Sequence, residues 1–280
     1  VSRFVYDQDS GLMLPGCAER RDGKRAVAGK RICEVNAIGP MLFGPLIDNL
    51  SPLILSDSPS FFYKLNEASG TTMIDSGSGA NNGTYFSNAT LNYPGFTSPS
   101  CISVGSSTVN HTALAISTTA NLVGSSPFSL VCAFKVATGS TDRALITKNV
   151  PGSTYADYFL RINAAGTMHF DTSNTSGGSG LTVITSVARF DDGVPHLCVV
   201  ERDFSASTIT MYIDNVSVTS ATFSGSIGGS TAQVGIGCSY SPSLGTYSTQ
   251  PLSGILSHCA LIKSVLGPTR RAAYQAVFLT

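Results

Sequence analysis

From Phe61 onward, apolar residues either alternate with polar ones or run together in short stretches, and neither pattern is helical. "FSLVCAFKV" (128–136) is a continuous apolar run bounded by Pro127 and Gly139, which predicts a strand buried on both faces. "DYFLRINAAGTMHFD" (157–171) predicts two short strands around a hairpin loop at residues 163–166 that contains a glycine. "HLCVVERD" (196–203) is apolar until it ends in charge. "TITMYIDNVSVTSA" (208–221) alternates through Ile209, Met211 and Ile213, and its Asp214-Asn215 pair suits the positive φ angles of a two-residue hairpin turn. "AQVGIGC" (232–238) and "LSGILSHCALI" (252–262) follow the same style. Only "GPTRRAAYQAVF" (267–278) reads as a helix, with Pro268 at its start. Turns at such regular intervals predict an all-β, antiparallel β-sandwich with a short C-terminal helix.

Residues 1–57 differ. They carry a basic cluster, Arg20, Arg21, Lys24, Arg25, Lys30 and Arg31, followed by "MLFGPLIDNLSPLILSDSPS", rich in proline and leucine without a clear period. The expected organisation is an irregular N-terminal segment, 1–57, and a β domain, 58–280. The opening "VSRFVYDQDSGLMLPG" lacks the charged-then-apolar layout of a secretion signal, although a processed precursor would look the same. No apolar stretch is long enough for a transmembrane helix.

Composition narrows the function classes. Hydrophobic residues make up 42% of the 280, ample for a core, while charged residues make up only 12%. The 17 basic and 17 acidic side chains cancel, so neither a nucleic acid nor a membrane surface is an expected partner. Seven cysteines without regular spacing read as buried, free thiols. The four histidines lie too far apart in sequence to suggest a zinc site.

Three stretches carry a resemblance: "FYKLNEASGTTMIDSGSGANNGTY" (62–85), "DGVPHLCVVERDFSASTITMYIDNVSV" (192–218) and "LSGILSHCALIKSVLGPTRRAAYQA" (252–276). In order and spacing they are similar to landmarks of the laminin-G-like, concanavalin-A-like jelly-roll family. "NEASGTT" followed by "NNGTY" most resembles the lectin-like domains of bacteriophage virion proteins, minor tail proteins in particular. The resemblance implies an antiparallel jelly roll over about residues 61–278. Such folds host many functions.

Within that frame the 62–85 stretch is a strand followed by a long structured loop. Asp75, Asn81 and Asn82 either cap turns or help hold a calcium ion, as related jelly rolls sometimes do. Calcium takes six to eight oxygens, and the last strand reads Leu256-Ser257-His258 where the family often has an acid, so no cofactor is expected. Where the family commonly has tryptophan before the histidine, Pro195 precedes His196; that histidine is read as a sugar contact or as the partner of a local backbone group. Tyr155, Tyr158, Tyr240 and Tyr247, placed in loops by this reading, are the candidate carbohydrate-stacking residues.

Catalytic patterns are missing. No acidic pair alternates within a strand as a jelly-roll glycosidase requires. Glu201 and Asp203 come nearest and read as a solvated strand end. GxSxG, HExxH and phosphate-binding glycine loops do not occur. The expectation is a non-enzymatic bacteriophage virion protein, made in the host cytoplasm. Its N-terminal basic cluster would dock on capsid or tail proteins in a symmetric assembly. Its lectin-like domain would decorate the particle or bind host-surface glycans. The alternative is a freestanding lectin or the non-catalytic module of a polysaccharide-degrading system.

Overall fold

The computed structural model describes residues 4–6, 13–15, 47–85, 89–105, 113–114, 126–149, 156–173, 181–223, 225–227, 233–241, 246–247 and 250–278. The chain divides into two compact units, Val1–Leu42 and Phe43–Thr280. In the first, β1 (Phe4–Tyr6) and β2 (Met13–Pro15) form an antiparallel pair with Val5 opposite Leu14. The basic cluster Arg20 to Arg31 lies outside the described residues.

The second unit contains, in chain order, α1 (Leu50–Ser56), β3 (Phe61–Tyr63), β4 (Thr72–Met73), β5 (Gly83–Thr84), β6 (Ala89–Pro94), β7 (Ser100–Val104), β8 (Ala113–Leu114), β9 (Phe128–Lys135), β10 (Arg143–Asn149), β11 (Ala156–Ile162), β12 (Thr167–Ser173), β13 (Leu181–Arg189), β14 (Pro195–Asp203), β15 (Thr208–Ile213), β16 (Val216–Thr222), β17 (Val234–Ile236), β18 (Tyr240–Ser241), β19 (Thr246–Tyr247), β20 (Gly254–Ile262) and α2 (Gly267–Phe278). Two antiparallel sheets make the jelly-roll sandwich. One runs β16-β15-β14-β9-β20-β7-β6, with β3 also paired to β20; the other runs β13-β12-β11-β10-β17-β8-β5-β4. The expected hairpins are present: Asp214 and Asn215 adopt φ of 51° and 64°, and Gly166 adopts 83° in the β11–β12 turn. A Cβ on Gly166 would lie 2.2 Å from Asp191 Oδ1, so both its φ and its neighbour demand glycine.

The first sheet is apolar on both faces. Phe128, Leu130, Cys132 and Phe134 of β9 face the space between the sheets, while Val131 and Ala133 face outward. There they meet Leu50 and Ile54 of α1 and Tyr274 and Phe278 of α2, all buried. The helices therefore explain why β9 and β14 read as unbroken apolar runs. The strand β20 contributes to both faces through a bulge between Ser257 and Ala260. Leu256 before it and Cys259 and Leu261 after it all face the inter-sheet core, which a regular period of two would forbid. The extra residue, His258, has φ 53° and is fully buried.

His258 fastens α1 to the sheet. Its Nε2 lies 2.9 Å from Asp48 Oδ1 and 3.1 Å from Ser51 Oγ, and its Nδ1 lies 2.5 Å from Ser257 Oγ. Burial opposes ionisation of Asp48, but the His258 hydrogen bond and charge and the Ser51 donors outweigh it, and the carboxyl falls to about 2. At the other end of the segment Asp57 accepts from Arg270 Nε at 2.7 Å and from the Tyr274 hydroxyl. Residues 47–56, read from sequence as part of a separate N-terminal segment, thus pack into the β unit, whose compact boundary lies at 42/43.

Candidate ligand-binding site

The structure moves several sequence candidates away from a binding surface. Tyr158 is a correction: it shares an inward face with Leu160 and Ile162 of β11 and is fully buried in the core. Burial, reinforced by the Asp157 charge and by Tyr63, raises its phenol pKa well above the ordinary value. Tyr240 and Tyr247 stand opposite each other in the β18–β19 pair. Tyr155 lies outside the described residues. The Asp75 carboxylate is buried and accepts backbone N–H groups from Phe62 (2.8 Å), Gly77 (2.8 Å) and Asn81 (2.9 Å). Asn82 Oδ1 accepts the Asp75 N–H at 3.0 Å, and the Asn81 carbonyl accepts the Tyr63 hydroxyl at 2.7 Å. These bonds are those of a turn-capping loop. Among the described residues no group of three or more His, Cys, Asp and Glu side chains is arranged to hold a metal ion.

Two further sequence readings change. His196 is held by side-chain carboxylates rather than by backbone, with Asp214 Oδ2 2.7 Å from Nδ1 and Asp192 Oδ1 3.2 Å from Nε2. Desolvation lowers its pKa, but the two carboxylates prevail and the net shift is upward. Glu201 is not a solvated strand end: it is 4% exposed, pairs with Arg271 of α2 and accepts the Gly267 N–H at 3.1 Å. Burial raises its pKa against the opposing pull of Arg271. The Arg271 guanidinium also lies 3.6 Å from the Tyr212 ring centroid, so Glu201 belongs to the helix-docking machinery.

A groove of about 670 Å³ opens at the end of the second sheet, between residues 137–143, the β11–β12 turn at Ala164, and residues 250–253. Its β9–β10 loop is built around the buried Arg143. That guanidinium donates to the Thr141 carbonyl (3.1 Å), the Ala137 carbonyl (2.7 Å) and Asp191 Oδ2 (2.9 Å). Asp191 also accepts the Gly139 N–H at 3.1 Å and both Nε and Nη2 of Arg189. Burial works against the Asp191 charge, but these donors lower its pKa. The loop is held from beneath by a buried ion pair, and Thr138, Ser140 and Thr141 are exposed at its surface.

Asp142 links the groove to the outer face of the sheet. Its Oδ1 accepts the Ala164 N–H at 2.8 Å, and its Oδ2 lies 3.5 Å from Arg161 Nη1 and 3.4 Å from Gln250 Nε2. The Gln250 Oε1 is buried without a hydrogen-bond partner. Beyond Asp142 the polar side chains continue across the strands: Arg161 Nη2 lies 3.3 Å from Asp171 Oδ2, Asp171 Oδ1 lies 2.7 Å from His169 Nε2, and His169 Nδ1 lies 3.0 Å from Thr185 Oγ1. The Arg161 guanidinium covers the Phe159 ring at 4.8 Å. Strand alternation places Phe159, Arg161, His169, Asp171 and Thr185 on the side opposite the core residues Leu160, Ile162, Met168, Phe170 and Ile184. The result is a rigid row of donors and acceptors that leads into a groove.

Sequence reasoning missed this site. Asp142, Arg161, Asp171 and Gln250 are far apart in the chain and meet only through the β10–β11–β12 pairing and the bond from the Ala144 N–H to the Gln250 carbonyl at 3.1 Å. The one legible signal was parity: in "DYFLRI" the residues Phe159 and Arg161 share the face opposite Tyr158.

A family model described as the Concanavalin A-like lectin/glucanases superfamily matches residues 107–270. No curated protein matches the sequence. Among solved structures, the binding domain of Paraclostridial Mosquitocidal Protein 1 aligns with TM-score 0.61 at 10% identity, over 79% of this chain and 52% of its own. The Botulinum Neurotoxin serotype G binding domain gives 0.60 at 9% identity over 78% and 51%. The binding domain of Botulinum Neurotoxin DC in complex with SialylT gives 0.57 at 11% identity over 80% and 52%. The chain spans about half the length of these structures, and at such identities the likeness is one of fold.

Proposed function

Because the chain belongs to the concanavalin A-like lectin/glucanases superfamily, we propose that its β unit is a non-catalytic carbohydrate-binding module that takes its ligand in the Asp142 groove. The observation that carries this reading is the continuity of the groove with the Arg161–Asp171–His169–Thr185 row. Hydroxyls, a carboxylate and an amide fixed on strands and a braced loop suit recognition of a polyhydroxylated molecule, since orientation comes from a few rigid polar groups. A fold neighbour was determined in complex with SialylT, which supports ligand binding by this scaffold. Against hydrolysis, Glu201 is engaged by Arg271, and Asp142 and Asp171 share one guanidinium rather than facing each other across an open cleft. The test is a glycan array probed with the full chain, followed by a reducing-end assay on every hit. Binding without turnover agrees with the reading; release of reducing ends from a bound glycan contradicts it.

For the biological setting we propose a bacteriophage virion. The N-terminal residues would dock on a capsid or tail protein through Arg20, Arg21, Lys24, Arg25, Lys30 and Arg31, leaving the β unit displayed within a symmetric assembly. Support comes from the resemblance of residues 62–85 to virion lectin-like domains and from the division of the chain at 42/43. Limited proteolysis with mass spectrometry tests the docking segment. Cleavage confined to residues before about 47 agrees with a segment that folds on its partner. A fully resistant chain favours a freestanding lectin.

A further inference from the structure

Resting on the carbohydrate-binding reading, we infer that the Asp142 groove selects uncharged sugars and rejects sialylated or uronic-acid ligands. A cation with N–H groups facing the ligand gives the strongest hydrogen bonds to an acidic sugar. Each guanidinium near the groove is already paired with a carboxylate. The side chain of Arg143 is 3% exposed and is fixed by Asp191 and two loop carbonyls. Arg161 lies between Asp142 and Asp171 with its guanidinium over the Phe159 ring, and its Nε, though without a hydrogen-bond partner, is buried. Arg189 is half exposed, but its Nε and Nη2 are committed to the two oxygens of Asp191.

The remaining stretches of the β unit supply no further lysine or arginine. Residues 86–88, 106–112, 115–125, 150–155, 174–180, 228–232, 242–245 and 248–249 contain neither lysine nor arginine. The groups offered are instead the Ser140 and Thr141 side chains, exposed at the loop surface, the Asp142 carboxylate, and the Gln250 amide with its unpartnered Oε1. The Thr138 hydroxyl donates to the Asp191 carbonyl at 2.8 Å. Carboxylate and amide oxygens accept from sugar hydroxyls. Against a ligand carboxylate, the Asp142 charge is repulsive in a partly desolvated site.

The experiment titrates the full chain with matched pairs, lactose against sialyllactose and a neutral oligosaccharide from the array against its sialylated form. Binding is read by calorimetry and by amide chemical shifts. The expected result is binding of the neutral member, at least tenfold weaker binding of its acidic counterpart, and shifts at residues 138–142, 164 and 250. The Asp142→Asn variant keeps the Oδ1 acceptor for Ala164 and narrows that gap. Equal or tighter binding of sialylated ligands, with shifts at the same residues, overturns the inference and leaves the binding reading standing. Absence of binding to any glycan overturns the binding reading itself. Neutral ligands that shift residues elsewhere overturn the assignment of the groove.

Discussion

The two sheets treat their outer faces in opposite ways. On the β9–β14–β20 sheet the outer face is covered: α1 and α2 lay Leu50, Ile54, Tyr274 and Phe278 on it, and its charged groups are paired within that cover. On the β11–β12–β13 sheet the outer face carries Arg161, His169, Asp171 and Thr185 in contact with one another, and Val183 and Val187 are exposed. The same strand chemistry gives a helix-seating surface where helices close it and, on the proposed function, a recognition surface where they do not. A polar side chain beneath α2 is engaged by the helix; those beside the groove are paired with one another along the sheet.

Substitutions sharpen this contrast, and the largest effect belongs to the covered face. Arg271→Ala leaves the buried Glu201 charge uncompensated and should lower unfolding free energy by about 3–5 kcal/mol in urea titration, without changing glycan binding by the folded fraction. Leu50→Ala removes an apolar anchor of α1 and should cost about 2–4 kcal/mol. It should also extend proteolysis into residues 47–57.

Asp48 provides a pH test of the same face. Its carboxyl is lowered from 3.8 to about 2 in the folded chain. Its stabilisation is therefore fully present above about pH 4 and is lost as pH falls toward 2. The loss should be on the order of 1–2 kcal/mol after allowance for its partial exposure. Asp48→Asn should flatten that segment of the stability curve. A variant curve that falls as steeply as the parent between pH 4 and 2 would place the acid sensitivity elsewhere.

Much of this architecture is legible in the sequence because strands and tight turns are local. Ile209, Met211 and Ile213 alternate because only one face of β15 is in the core, and Asp214-Asn215 is a turn wherever positive φ is needed twice. Pro268 marks the start of α2 because its missing N–H costs nothing there. The short α1 escapes such reading: it has seven residues, Pro52 near its start, and both Leu53 and Leu55 on less buried positions beside Leu50 and Ile54. Its helicity depends on the sheet beneath it.

The site was less legible for a related reason. Tyrosines attract attention as sugar platforms, yet Tyr158 has the parity of the core, and its neighbours Phe159 and Arg161 hold the outward positions. Nothing local to Asp142, Asp171 or Gln250 announces that one guanidinium and one loop gather them. Glu201 misled in the opposite direction. A charge at the end of an apolar run suggests solvent, but here it waits for Arg271, which arrives some 70 residues later.

The most direct measurement pairs the two faces: melting temperature and glycan affinity for Arg161→Gln and Arg271→Ala, side by side in the full chain. The account predicts that Arg161→Gln weakens binding at least tenfold while costing less stability than Arg271→Ala, whose ion pair is the more buried, and that Arg271→Ala leaves binding by the folded fraction unchanged. Unaltered affinity in Arg161→Gln, or lost affinity in a still-folded Arg271→Ala, would contradict the division of the sandwich into a sealed face and a recognition face.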